Sequence, residues 1–105
     1  MSEFKNKNVL ITGGASGIGK IMGRLALEKG AANLIVWDVN PDAMESVRAE
    51  LSKGGNVHCY KVNVADEKEI SVTYEKVKEE IVYVDILINN AGIVRSNSTF
   101  DRQKV

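Results

Sequence analysis

The chain has 105 residues, with 14 basic and 14 acidic side chains, one cysteine and one proline. That length allows one domain with a modest core, and it is too short for a complete two-domain enzyme or a full nucleotide-binding sheet of six or seven strands. The balanced charge excludes a basic nucleic-acid or anionic-membrane surface as a leading reading. The polar opening stretch lacks an apolar signal-peptide region, and the lone Cys59 has no internal disulfide partner, so a reducing cytoplasmic setting is expected.

Strand-like and helix-like stretches alternate, the pattern of a parallel α/β sheet. Val9, Leu10 and Ile11 form an apolar run suited to a buried parallel strand, at about residues 9–12. Thr12 and Gly13 end it. A helix is expected at about residues 17–29, with Ile18, Ile21, Met22, Leu25 and Ala26 on one face and Gly30 just past its end. The glycines Gly13, Gly17 and Gly19 therefore sit on a strand-to-helix turn, the context that a dinucleotide-binding reading requires. Gly13 permits a sharp turn off the strand. Gly17 leaves the backbone open to a pyrophosphate, and Gly19 lets helix and strand lie close. The first helical turn then offers free N–H groups to an anion.

The second strand is expected at residues 33–38, from Leu34, Ile35, Val36 and Trp37. Asn40 and Pro41 look like an N-cap followed by proline at the first helical position. Met44, Val47 and Leu51 carry that helix, which Gly54 and Gly55 stop. A more mixed third strand at about residues 57–62 suits a sheet edge, with His58, Tyr60 and Val62 on one side and Val57, Cys59 and Lys61 on the other. Asp66 with Glu69 resembles a capping box. Ile70, Tyr74, Val77 and Ile81 continue as a helical stripe. The fourth strand, at about residues 84–89, holds Ile86, Leu87 and Ile88, and Asn89, Asn90, Ala91 and Gly92 follow it. Residues 93–105 have room to begin one more helix.

Asp38 ends the second strand, about 20 positions after Gly19, where a dinucleotide fold places an acid that accepts from the adenosine ribose. A carboxylate there repels a 2′-phosphate and favours NAD. Lys20 and Arg24, near the same end, keep NADP as the less favoured alternative. Tyr74 and Lys78 have a Tyr-x-x-x-Lys spacing, but Tyr74 belongs to an apolar stripe. His58 in its strand reads as a surface or packing residue rather than a proton shuttle. Ser96 and Ser98 read as loop hydroxyls with no nearby base. No Cys/His cluster suggests a metal.

Taken together, Thr12-Gly13-x-x-x-Gly17-Ile18-Gly19, the acidic end of the second strand and the run from Asp85 to Gly92 resemble the amino-terminal half of a short-chain dehydrogenase/reductase. The resemblance covers nearly the whole chain. It implies a Rossmann-like, doubly wound parallel sheet cut to about four strands, in order 3-2-1-4, as a single partial domain over residues 1–105. It implies that Gly13, Ser16, Gly17, Ile18 and Gly19 line a pyrophosphate and that Asp38 holds the ribose. Asn63 and Val64 would meet the adenine ring, and Asn90, Ala91 and Gly92 would border the nicotinamide-side ribose. The family usually has aspartate where Asn63 stands, and the amide oxygen of Asn63 is expected to accept from the adenine amino group.

The resemblance further implies hydride transfer between a nicotinamide and an alcohol or ketone. The family's catalytic tyrosine and lysine lie beyond the Asn-Asn-Ala-Gly motif, so no catalytic residue is assigned and the chain alone is expected to be inactive. The alternative is a non-catalytic dinucleotide-binding or interaction module. An open edge on the fourth strand is expected to drive self-association.

Overall fold

A computed structural model describes residues 3–81 and 83–91. Gly92, the expected helix at residues 93–105, and Ser96 and Ser98 lie outside the described residues. In chain order the elements are β1 (Asn8–Thr12), α1 (Gly17–Glu28), β2 (Asn33–Asp38), α2 (Pro41–Leu51), a 3-10 turn (Ser52–Gly54), β3 (Asn56–Lys61), α3 (Glu67–Ile81) and β4 (Ile86–Asn89). The four strands are parallel, in order β3-β2-β1-β4. This is the Rossmann-like arrangement with the expected strand order. The third strand begins one residue earlier than expected, and the fourth two residues later.

Because β1 and β2 are flanked by strands and covered on both faces, their apolar runs are continuous rather than alternating. Val9, Ile11, Leu34, Val36, Ile86 and Ile88 face α1 and α2, where Ala26, Leu27, Met44, Val47 and Leu51 complete one core. Leu10, Ile35, Trp37 and Leu87 face α3, where Ile70, Val77 and Ile81 complete the other. Tyr60 and Val62 lie with this second core, and Val57 and Cys59 with the first, so the expected alternation along β3 is present.

The helix ends follow their sequence signals. Gly30, at φ +95°, lets its own N–H reach the Leu27 carbonyl and the Ala31 N–H reach the Ala26 carbonyl, each at 3.0 Å. That pairing satisfies two carbonyls at the end of α1. Asn40 Oδ1 accepts from the Ala43 N–H at 3.0 Å, with Pro41 opening α2. Asp66 Oδ1 accepts from the N–H groups of Lys68 and Glu69. Only half of the expected capping box forms. The Asp66 N–H is taken by the Asn63 carbonyl, so the Glu69 carboxylate reaches past it to the Asn63 N–H, each at 2.9 Å.

Of the face expected for α1, Met22 and Ala26 meet the core, and the other three residues do not. Ile18, Ile21 and Leu25 are 69%, 46% and 41% exposed, and the buried face is Gly19, Gly23, Ala26 and Leu27. The cause is close approach. A Cβ on Gly23 would fall 2.9 Å from Leu34 Cδ2, so the helix turns its smallest residues to β2 and its larger ones away. Lys20, by its ion pair with Glu50, and Arg24 and Leu27, in a shared groove, face α2. Ile18, Ile21 and Leu25 therefore lie on the opposite flank, the β4 side of the sheet.

At the amino-terminal ends of the strands a chain of side-chain hydrogen bonds crosses the sheet. Asp85 Oδ2 accepts from the Asn8 N–H at 2.8 Å, and Asn8 Nδ2 donates to the Tyr83 carbonyl. Asn33 Nδ2 donates to Asn8 Oδ1, and His58 Nε2 meets Asn33 Oδ1, each at 2.9 Å. With Asn33 Oδ1 as the acceptor, the His58 ring proton is on Nε2. His58 is thus the last member of this hydrogen-bonded row.

Candidate functional site

The turn after β1 is built at the opposite, carboxyl end of the sheet. Gly13 and Gly17 take φ +68° and +57°, values that a Cβ strongly disfavours. The Gly13 N–H donates to the Trp37 carbonyl at 2.7 Å, which holds the turn against β2. Asp38 continues that attachment. Its Oδ2 accepts from the Ala15 N–H at 3.1 Å, and its Oδ1 accepts from the N–H groups of Val39 and Asn40. The residue expected to hold a ribose is therefore also the anchor of the glycine turn.

Ser16, Gly17 and Ile18 are exposed at the start of α1. Ser16 makes no side-chain bond to the helix it caps. Among the described residues no acceptor takes the N–H groups of Gly17, Ile18 and Gly19, and the Lys20 N–H is the first to bond back, to the Ser16 carbonyl. A Cβ on Gly17 would meet nothing within 4 Å. Bare amides at the positive end of the helix, beside open space, fit a diphosphate.

Gly19 has a different part from the one expected. A Cβ there would fall 2.2 Å from the Gly13 carbonyl oxygen and 2.7 Å from Asn90 Nδ2. It makes room for the turn to fold on itself and for Asn90 to reach in. Gly23 is the residue that brings helix and strand together.

The segment after β4 is stitched onto this turn. Thr12 is fully buried. Its hydroxyl donates to Asn89 Oδ1 at 3.0 Å and accepts from the Ala91 N–H at 3.1 Å. Asn90 Nδ2 donates to the Gly13 carbonyl at 3.0 Å. The two motifs, 77 residues apart for this pair, thus form one surface. The bridging role of Thr12 was not assigned from the sequence, although a hydroxyl in a buried strand end beside a glycine turn is a usable signal.

Asn63 and Val64 follow β3 next to Asp38, since the Val62 N–H donates to the Asp38 carbonyl at 2.9 Å. The Asn63 amide oxygen is engaged: Oδ1 accepts from the Ala65 N–H at 2.9 Å. Lys20 is not at the ribose end. Its Nζ is 2.8 Å from Glu50 Oε1, near the far end of α2. The bond and charge of Lys20 hold the Glu50 carboxyl below its usual range. Tyr74 and Lys78 are on α3, where the Lys78 ammonium lies 5.8 Å from the Tyr74 ring centroid, a stacking contact away from the glycine turn. No helix among the described residues is long and apolar enough to cross a membrane.

Comparison with known proteins gives concordant matches. A family profile described as short chain dehydrogenase matches residues 7–105. Estradiol 17-beta-dehydrogenase 11 of Rattus norvegicus is 38% identical over 96 residues, 90% of this chain and 32% of that protein. The structure is similar to the Pseudomonas aeruginosa RhlG/NADP active-site complex, with TM-score 0.77 and 27% identity, over 85% of this chain and 36% of that one. It is also similar to a Haemophilus influenza protein described as a D-mannonate oxidoreductase with bound NAD, with TM-score 0.73 and 27% identity, over 80% of this chain and 30% of that one. The chain spans about a third of the length of the curated relatives it matches.

Proposed function

This chain belongs to the short-chain dehydrogenase family, and on that premise we propose that it is the NAD-binding part of an oxidoreductase acting on an alcohol or ketone. The observation that carries the reading is the row of bare amides at Gly17, Ile18 and Gly19 beside open space. Neighbours holding NADP and NAD support a dinucleotide of that class as the ligand.

In this reading Gly13, Ser16, Gly17, Ile18 and Gly19 receive the pyrophosphate. Asp38 Oδ2, which keeps a free lone pair beside its bond to the Ala15 N–H, accepts from the adenosine ribose. Asn63 and Val64 flank the base, and Asn90 and Ala91, with Gly92 beyond the described residues, border the second ribose. The nicotinamide supplies the hydride acceptor or donor when bound. The Asp38 carboxylate and the removal of Lys20 to Glu50 favour NAD over NADP.

Residues 93–105 contain no tyrosine, and the family resemblance puts the proton donor beyond the Asn-Asn-Ala-Gly motif. Residues 1–105 are read as the dinucleotide-binding part of the family's domain. Calorimetric titration with NAD and NADP tests the reading. Wild type is expected to bind NAD more tightly, and Asp38→Ala to lose that preference. Equal affinity of the wild type for both removes the assignment to NAD, and no binding of either removes the dinucleotide site.

A further inference from the structure

An asparagine carries one accepting arm and one donating arm. The Ala65 N–H can be met only by an acceptor, so its 2.9 Å contact fixes the Asn63 oxygen on the inner arm. The residue is held on its main chain as well. Its N–H donates to the Glu69 carboxylate and its carbonyl accepts from the Asp66 N–H. The outer arm is therefore Nδ2, which has no partner among the described residues, on an exposed residue at the Asp38 end of the sheet.

We propose that Asn63 offers a hydrogen-bond donor to the base of the bound dinucleotide and so shifts the site's preference toward a 6-oxo purine, relative to the acceptor that an aspartate would place there. The inference rests on the dinucleotide reading above. The amino group of adenine is itself a donor, and two donors facing each other leave both unsatisfied. A hypoxanthine base puts a carbonyl oxygen at the same position, which the Asn63 amide can serve. An aspartate at 63 would have an accepting oxygen on each arm, one for the Ala65 N–H and one for the 6-amino group. The Val64 N–H also has no acceptor among the described residues. It stays a donor whatever stands at 63, so a ratio between variants isolates the effect of that one side chain.

The test is calorimetric titration of the full chain and of Asn63→Asp with NAD and with nicotinamide hypoxanthine dinucleotide. Aspartate preserves the bond to Ala65, so the turn is retained, which the far-ultraviolet circular dichroism of the variant checks. The affinity ratio of the hypoxanthine form to NAD is expected to be about tenfold higher in wild type than in Asn63→Asp, the effect of one mismatched polar contact. Asn63→Ala, with neither arm, is expected to fall between them. The same ratio in wild type and Asn63→Asp overturns the inference while leaving the dinucleotide site standing. Failure of both proteins to bind either dinucleotide overturns both.

Discussion

The Asn90 amide donates to the Gly13 carbonyl at 3.0 Å, joining the end of β4 to the turn after β1. Gly19 sits under that bond, where an added Cβ would fall 2.2 Å from the same carbonyl oxygen. Backbone cannot step aside as a flexible side chain can. Gly19→Ala is expected to destabilise the fold by about 1–3 kcal/mol, the range for overpacking. Gly17→Ala adds its methyl to open space and meets only the cost of a left-handed backbone, about 1–2 kcal/mol. Binding should separate the two further, because the Gly17 methyl enters the space proposed for the diphosphate. Thermal unfolding and NAD titration of both variants check this, and an unchanged midpoint for Gly19→Ala would show that the turn is not packed as described.

Asp38 holds the Ala15 N–H as well as the N–H groups that follow it. Asp38→Ala should therefore lose stability even without ligand, by about 1–3 kcal/mol for the partly buried Ala15 amide left unpaired. Asp38→Asn retains one accepting oxygen and should lose less. Urea denaturation of the two variants measures the difference. Equal midpoints for Asp38→Ala and wild type would remove the carboxylate from the support of the turn.

Glu50 has its pKa lowered in the folded chain by its bond to Lys20, then by the charge of the same residue. A depressed carboxyl contributes stability above the ordinary unfolded value, and that contribution disappears as pH falls through the folded value. Glu50→Gln is thus expected to be slightly less stable than wild type at neutral pH and equal to it at strongly acidic pH. The effect is small, because Glu50 is solvent-exposed and Lys20 only half-buried. Denaturation series at pH 7 and pH 3 measure it, and a gap that widens at low pH would contradict the sign.

Among the described residues β4 pairs only with β1, and the exposed Ile18, Ile21 and Leu25 lie on the same side of the fold. An unpaired strand edge beside an apolar helix flank is a hazard for association. The isolated chain is expected to self-associate at high concentration, and Ile21→Glu to reduce it without loss of the fold. Sedimentation velocity of both decides the matter. A wild type that stays monomeric would remove self-association from the reading.

Local order was largely legible because its signals are short-range. Asn40-Pro41, Gly30 and Asp66 each announce a helix end through bonds spanning a few residues. The glycine turn and the Asn89-Asn90 motif were visible separately, and the family resemblance placed their strands side by side. The face of α1 was legible only in part because apolar periodicity identifies a stripe but not what meets it. Here Gly23 against Leu34 decided that the small residues face inward. The bridging by Thr12 depends on partners that only the folded chain brings together, 79 residues away in the case of Ala91. Glu69 went to the Asn63 N–H rather than to Asp66 because the preceding turn had already used the Asp66 amide.

The row of Asp85, Asn8, Asn33 and His58 bears on how parallel strands find their alignment. A hairpin fixes its pairing through a short loop, whereas these strands are joined through helices and have no such gauge. Each link in the row requires its neighbour at one position only. Sliding β1 or β2 by a single step would only exchange residues between two apolar cores, but it would break this polar seam. Thr12 with Asn89 does the same at the other end, so the sheet is keyed at both margins, with interchangeable aliphatic side chains between them.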